Sequence, residues 1–217
     1  MPELIKPLQI FGAVFFELLI LIFEIKTMRK FLTLAFSVAF FALNAQTAEL
    51  PSEKFWNNLK NHCGQSYEGK ISAGGKEGDG FTGQRLVMQV LSCDTNRIRI
   101  PFYVGENSSR TWVLTKNEQS ILKLKHDHRH EDGTEDQVTQ YGGESPNIGM
   151  ENVQMFPADA ETASRISYAS TNVWWITLEG KTFSYNLRRI GSDRVFTIEF
   201  DLSKPIIFNK KPWGWSE

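Results

Sequence analysis

From residue 66 onward the apolar residues of this chain fall at every second position, and that period decides the fold class. A β-strand turns successive side chains to opposite faces, so apolar–polar alternation reads as a strand with one buried face. Residues 97–104 set Ile98, Ile100, Phe102 and Val104 against Arg97, Arg99 and Tyr103. Residues 84–92 set Leu86, Met88 and Val90 against Arg85 and Gln89. Trp112 and Leu114 share a face in 111–115, as do Phe183, Tyr185 and Leu187 in 182–188, and Phe196, Ile198 and Phe200 in 194–201. Further strands are predicted at 66–72, 120–128, 136–141 and 172–178. Turn signals separate them at Asp132-Gly133, Glu179-Gly180 and Gly191-Ser192-Asp193, with a Gly-rich loop at 73–80.

Two segments break the period. Residues 51–62 carry Phe55, Trp56 and Leu59 on one stripe behind Ser52, a candidate N-cap, and predict a short helix. Residues 142–170 hold Pro146 and Pro157 and a short helical pattern at 158–165. That stretch is long for a plain connection and is expected to act as a lid or plug. Short strands in sequence, each with one polar face, predict an all-β domain: an antiparallel meander closing into a barrel. With its short leading helix, this pattern resembles the calycin group, the lipocalins and fatty-acid-binding proteins. The chain departs from the lipocalin Gly-x-Trp signature, because Gly69-Lys70-Ile71 stands at that place.

The first 45 residues read differently. Arg29 and Lys30 follow Met28, an apolar run fills 31–43, and Asn44-Ala45 precedes Gln46. This basic, apolar, small order is that of a secretory signal peptide at 28–45, with Met28 as the start and cleavage after Ala45. The alternative is a start at Met1, with residues 8–25 as a membrane anchor interrupted by Glu17 and Glu24. On the first reading the mature chain is one domain, 46–217, exported and without a stable membrane anchor. Its charges nearly balance. The chain has 24 Lys+Arg and 25 Asp+Glu, and residues 1–45 hold Lys6, Lys26, Arg29 and Lys30 against Glu3, Glu17 and Glu24. A domain without basic excess is not expected to bind nucleic acid. Both cysteines, Cys63 and Cys93, fall in the mature part, and in an oxidising compartment they are expected to pair. Two free buried thiols are the alternative.

One constellation carries chemistry. His126, His128 and His130 alternate with Asp127, Arg129 and Glu131. In register with Leu122 and Leu124, the histidines continue the inward face toward the barrel mouth. Imidazoles two apart on a strand sit about 6.5–7 Å apart at Cα, so His126 and His128 can share a metal ion such as zinc, given an outside ligand. His62, Asp159 and Glu161 are the candidates for that ligand. The His-x-His-x-Asp-His pattern of metallo-β-lactamase-like hydrolases is not met, since His130 stands at the fifth position. Five arginines, Arg97, Arg99, Arg188, Arg189 and Arg194, lie on strands or strand ends, and any of them can hold a carboxylate if the interior is polar. Arg188 joins His126, His128 and His130 as a candidate ligand-binding residue. Of the adjacent Trp174 and Trp175 only one can face the core; Trp213 and Trp215 are expected to close a barrel end, the alternative being an exposed aromatic patch with the other tryptophan for a glycan or a partner.

The stretches RTWVLT at 110–115, LKHDHRHEDG at 124–133, MFPAD at 155–159, NVWWI at 172–176 and YNLRR at 185–189 are similar to a family of uncharacterised exported bacterial proteins. That resemblance implies secretion and a single domain, and no chemistry. The leading expectation is a barrel that binds a small ligand or a partner. The second is a metal-binding protein or metal-dependent hydrolase centred on His126 and His128.

Overall fold

The alternation is realised in the computed structural model, which describes residues 21–30 and 48–214. The chain divides into two units, Met1–Ala48 and Glu49–Glu217. In the first, residues 21–30 are helical. The apolar segment 31–43, the cleavage point after Ala45, most of the run 8–25, and Trp215 lie outside the described residues. No helix among the described residues is long and apolar enough to cross a membrane.

The second unit opens with helix α1 (Pro51–Lys60). Pro51 occupies its first turn, where the fixed φ suits a helix and the missing N–H costs nothing. The predicted cap at Ser52 is not formed: Leu50 is the N-cap, and Ser52 is buried inside the first turn. Strands follow at β1 (Ser66–Ala73), β2 (Leu86–Gln89), β3 (Ser92–Cys93), β4 (Arg97–Val104), β5 (Asn107–Lys116), β6 (Leu122–His128), β7 (Tyr141–Glu144) and β8 (Val153–Pro157). Helix α2 (Ala160–Arg165) and a 3₁₀ turn (Ser167–Ala169) precede β9 (Asn172–Glu179), β10 (Thr182–Arg189) and β11 (Val195–Asp201). The expected strand at 136–141 is a loop up to Gln140. Asp136 accepts the Val138 N–H at 2.8 Å and Gln140 adopts φ 57°, so the backbone cannot stay extended.

The strands form one antiparallel sheet in the order β7-β6-β5-β4-β2-β1-β11-β10-β9-β8, with β3 on β4. Neighbours in space are neighbours in sequence, and β1 closes on β11. The result is a meander nearly closed into a barrel. Between β2 and β3 the pairing with β4 slips by one residue, from Met88↔Phe102 to Ser92↔Arg99. Pro101, which has no N–H to give a ladder, sits at that slip.

Closure at the β7–β8 seam uses backbone and cap groups. The Asp159 N–H donates to Gly142 O at 3.0 Å, and the Gly142 N–H donates to Thr162 Oγ1 at 2.7 Å. Asp159 caps α2 by accepting the Thr162 N–H, and Lys125 pairs with Asp159 and Glu161 at 2.8 and 2.7 Å. A Cβ on Gly143 would lie 1.7 Å from Pro157 O. Gly143→Ala must therefore push β7 off β8, and a loss of about 1–3 kcal/mol is expected in urea unfolding. An unchanged midpoint would mean the seam is not a structural contact.

The closed end of the barrel is packed by α1. Phe55, Trp56 and Leu59 are buried and belong to one core cluster with strand residues such as Ile98, Leu114, Leu124 and Ile176. Lys116 and Ser120, at the β5–β6 turn, hold Glu53 at 2.5 Å each, and their hydrogen bonds keep its carboxyl below the usual range. The Cys63–Cys93 disulfide ties the chain after α1 to β3, with Cα atoms 6.1 Å apart. Outside the barrel, residues 202–214 run across β1, β4 and β5. Ile206 N–H donates to Ser66 O, Tyr103 Oη donates to Lys210 O, and the Trp213 N–H donates to Ser108 O. Tyr103 faces outward by register yet is buried, because this tail and Phe208 cover it.

Candidate functional site

The end of the barrel opposite α1 stays open. Along β5 the chain runs from Asn107 at the mouth to Lys116 at the closed end, and β6 returns from Leu122 to His128. Inward side chains near the mouth line a cavity of about 210 Å³. Its walls are aromatic. Trp112 stacks between Phe102 and Tyr185, with centroids at 4.9 and 4.4 Å and planes within 11° and 13°. Trp174 is buried on the inner face of β9, while Trp175 points outward and is half-buried.

The histidine strand enters the barrel in the expected register. His126 pairs across the ladder with Trp112, and His128 with Arg110. Both line the cavity. His126 is 3% exposed and both of its ring nitrogens are engaged. Nδ1 lies 2.9 Å from Tyr141 O, a pure acceptor, so Nδ1 carries the proton. Nε2 must then accept from Tyr185 Oη at 2.7 Å. The ring also stacks on Tyr141 at 4.4 Å. Burial drives its pKa down to about 3, so the neutral form holds at all ordinary pH. His128 Nε2 sits 3.2 Å from Tyr141 Oη. Burial, aided by the nearby Arg110 charge, pushes its pKa to about 4. The Tyr141 phenol is raised by the same burial. His130 is exposed beyond the strand end and does not line the cavity.

These donors do not fit a metal ion. His126 has no free lone pair, since Tyr185 occupies Nε2. The proposed outside ligands lie elsewhere: Asp159 and Glu161 pair with Lys125 on the outer face of β6, and His62 bonds Tyr67 Oη through Nδ1 at 2.7 Å beside the end of α1. Among the described residues no cluster of three or more His, Cys, Asp or Glu side chains is placed to hold a metal.

The arginines divide by register. Arg188 is exposed on the outer face of β10 and does not reach the cavity, because Leu187 and Arg189 take the inner face. Arg97 and Arg99 are also on the outer face, Arg99 donating to Ser92 Oγ at 3.2 Å. Arg110, Arg189 and Arg194 line the mouth instead. Arg110 donates to Asn107 Oδ1 at 2.9 Å and lies 5.3 Å over the Phe81 ring. Arg189 donates to Asn172 Oδ1 at 2.9 Å and lies 5.1 Å over Tyr168. Arg194 lies 5.5 Å over Phe196. Of these, Arg110 was legible by counting two positions back from Trp112. Residues of the 142–170 segment form part of the rim, through Ile166, Tyr168 and Ala169.

On the outer face of the same strand, Asp127 is 2% exposed rather than solvated. It accepts from Arg129 Nε at 3.0 Å and from Gln140 Nε2 at 2.8 Å, which pins the loop between β6 and β7 over it.

No family model matches this chain, and neither the curated proteins nor the solved structures contain a match to it.

Proposed function

We propose that this chain is an exported calycin-like barrel that takes a small ligand into its open end, without catalysis. The observation that carries this reading is the cavity at the mouth, where aromatic side chains surround a few converging polar groups, as small-molecule sites do. Closure of the first strand on the last, with a helix packing the opposite end, supports the calycin likeness. Export is supported by the Cys63–Cys93 disulfide, a bond that persists in oxidising compartments, and by the basic–apolar–small order of residues 28–45.

Trp112 and Trp174 line the cavity and report its occupancy. Titration with neutral 2-naphthamide is expected to change the tryptophan fluorescence saturably. Val138 stands at the rim and is 41% exposed, so a larger side chain there can be tolerated while blocking the mouth. Val138→Trp is expected to weaken binding by about tenfold or more. A wild-type protein that saturates with neither 2-naphthamide nor its carboxylate analogue 2-naphthoate, or an unchanged affinity in a folded Val138→Trp protein, would overturn the reading.

A further inference from the structure

Four strands change character at the same level of the barrel. On β5 the inward residue two positions toward the mouth from Trp112 is Arg110, and on β6 the residue beyond His126 is His128. On β10 it is Arg189 beyond Leu187. Before β11, Arg194 stands two positions from Phe196, and its carbonyl accepts the Arg189 N–H at 3.0 Å. A period of two thus sets three guanidinium groups and an imidazole around the mouth, above an aromatic floor. Among the described residues no Asp or Glu lines this cavity. Among the described residues, none of Arg110, Arg189 and Arg194 forms an ion pair with a carboxylate within 4.0 Å, whereas Arg85, Arg97, Arg129 and Arg165 all do. Asp136 acts on Arg110 and His128 through space without forming an ion pair with any of the three arginines, and it accepts the Val138 N–H.

Bringing three cations to one half-buried mouth with no carboxylate in contact with any of them, and only Asp136 acting on Arg110 from a distance, is unfavourable unless an anion completes it. Arg110 and Arg189 are instead oriented by neutral partners, Asn107 and Asn172, and all three guanidinium groups lie over a ring, which leaves donor N–H groups over. We propose that the ligand is a small organic anion, a carboxylate or its like on an apolar or aromatic body. Its charge is held by Arg110, Arg189 and Arg194 at the mouth, and its body lies against Trp112, Trp174 and Tyr185. This rests on the reading of the cavity as a ligand site and adds the charge of what enters it. A planar fork such as guanidinium matches a carboxylate by two parallel hydrogen bonds, which sets the class apart from a neutral apolar guest.

The test uses two probes of one shape, 2-naphthoate and neutral 2-naphthamide, titrated into the oxidised protein by calorimetry at pH 7.5. The anion is expected to bind about tenfold or more tightly than the amide, as charge-assisted hydrogen bonds imply. Raising the salt should weaken the anion and leave the amide alone. In R189Q and R194Q the preference should shrink severalfold, while R188Q, on the outer face, should keep it. Equal affinities for the two probes in the wild-type protein would overturn the anion proposal and leave the cavity reading standing. Binding of neither would overturn the cavity reading itself. The wild-type comparison and its salt dependence need no variant to fold.

Discussion

Mild acid is expected to destabilise this barrel well before its carboxylates titrate. The folded-state pKa values of His126 and His128 are depressed to about 3 and about 4, chiefly by burial. In the unfolded chain both return to about 6.5. The folded state therefore binds fewer protons than the unfolded state throughout that window. The stability that follows is fully present above pH 6.5 and is lost as pH falls toward 4. Each histidine contributes a slope of about 1.4 kcal/mol per pH unit in the middle of the window. Between pH 6.5 and 4.5 the two together remove roughly 4 kcal/mol, against a typical total of about 5–15 kcal/mol. Groups such as Glu53 and Asp159, whose pKa values are lowered in the fold, lose their contribution at lower pH. Urea unfolding from pH 8 to 5 checks this, and a flat stability between pH 7 and 5 would refute it. His126→Phe sharpens the test. It strands Tyr185 Oη and Tyr141 O in the interior, so it should cost about 1–3 kcal/mol at pH 7.5. It also removes one titrating group, so its stability should fall less steeply below pH 6.5. A variant that loses stability in parallel with the wild type would assign the acid sensitivity elsewhere.

The strands were legible in the sequence because period two is a local signal. Residues 97–104 alternate without interruption and form β4 with those bounds. The inward face of His126 and His128 followed from Leu122 and Leu124 for the same reason. What alternation cannot show is what lies over the outer face. Asp127 and Tyr103 are outward by register and buried in fact, Asp127 by the loop that Arg129 and Gln140 close over it, and Tyr103 by the tail at 202–214. Those contacts join residues far apart in the chain, and no local pattern encodes them. The candidate site was half visible. Period two placed His126 and His128 in the barrel, but it also reads Arg188 as outward once Leu187 is inward, which makes Arg189 the cavity-lining arginine of β10. The metal reading failed on partners: Tyr141 and Tyr185, distant in sequence, consume both nitrogens of His126.

Removing the disulfide should lower stability about as much as the acid does, by a different route. Cys63 follows α1, whose Phe55, Trp56 and Leu59 fill the closed end of the barrel, and Cys93 lies in the two-residue strand β3. The bond closes a loop of 30 residues, which in the chain-entropy model is worth roughly 3–4 kcal/mol through the unfolded state. Native contacts at this corner persist without it: Gly64 N–H donates to Val90 O, Val90 N–H donates to Gln65 O, and Glu53 stays paired with Lys116. The Cys63→Ala, Cys93→Ala double variant should therefore fold to the same barrel and bind 2-naphthamide at the far end unchanged. Its urea midpoint should fall by about 1–2 M for a slope of about 2 kcal/mol per M. Amide exchange should quicken first around residues 61–66 and 90–94, where the tether is lost, and not around the mouth. The histidine effect should add to it, because the two sites lie at opposite ends of the barrel and share no partner. An oxidised and a reduced wild-type protein with the same urea midpoint would show that the bridge contributes nothing to stability.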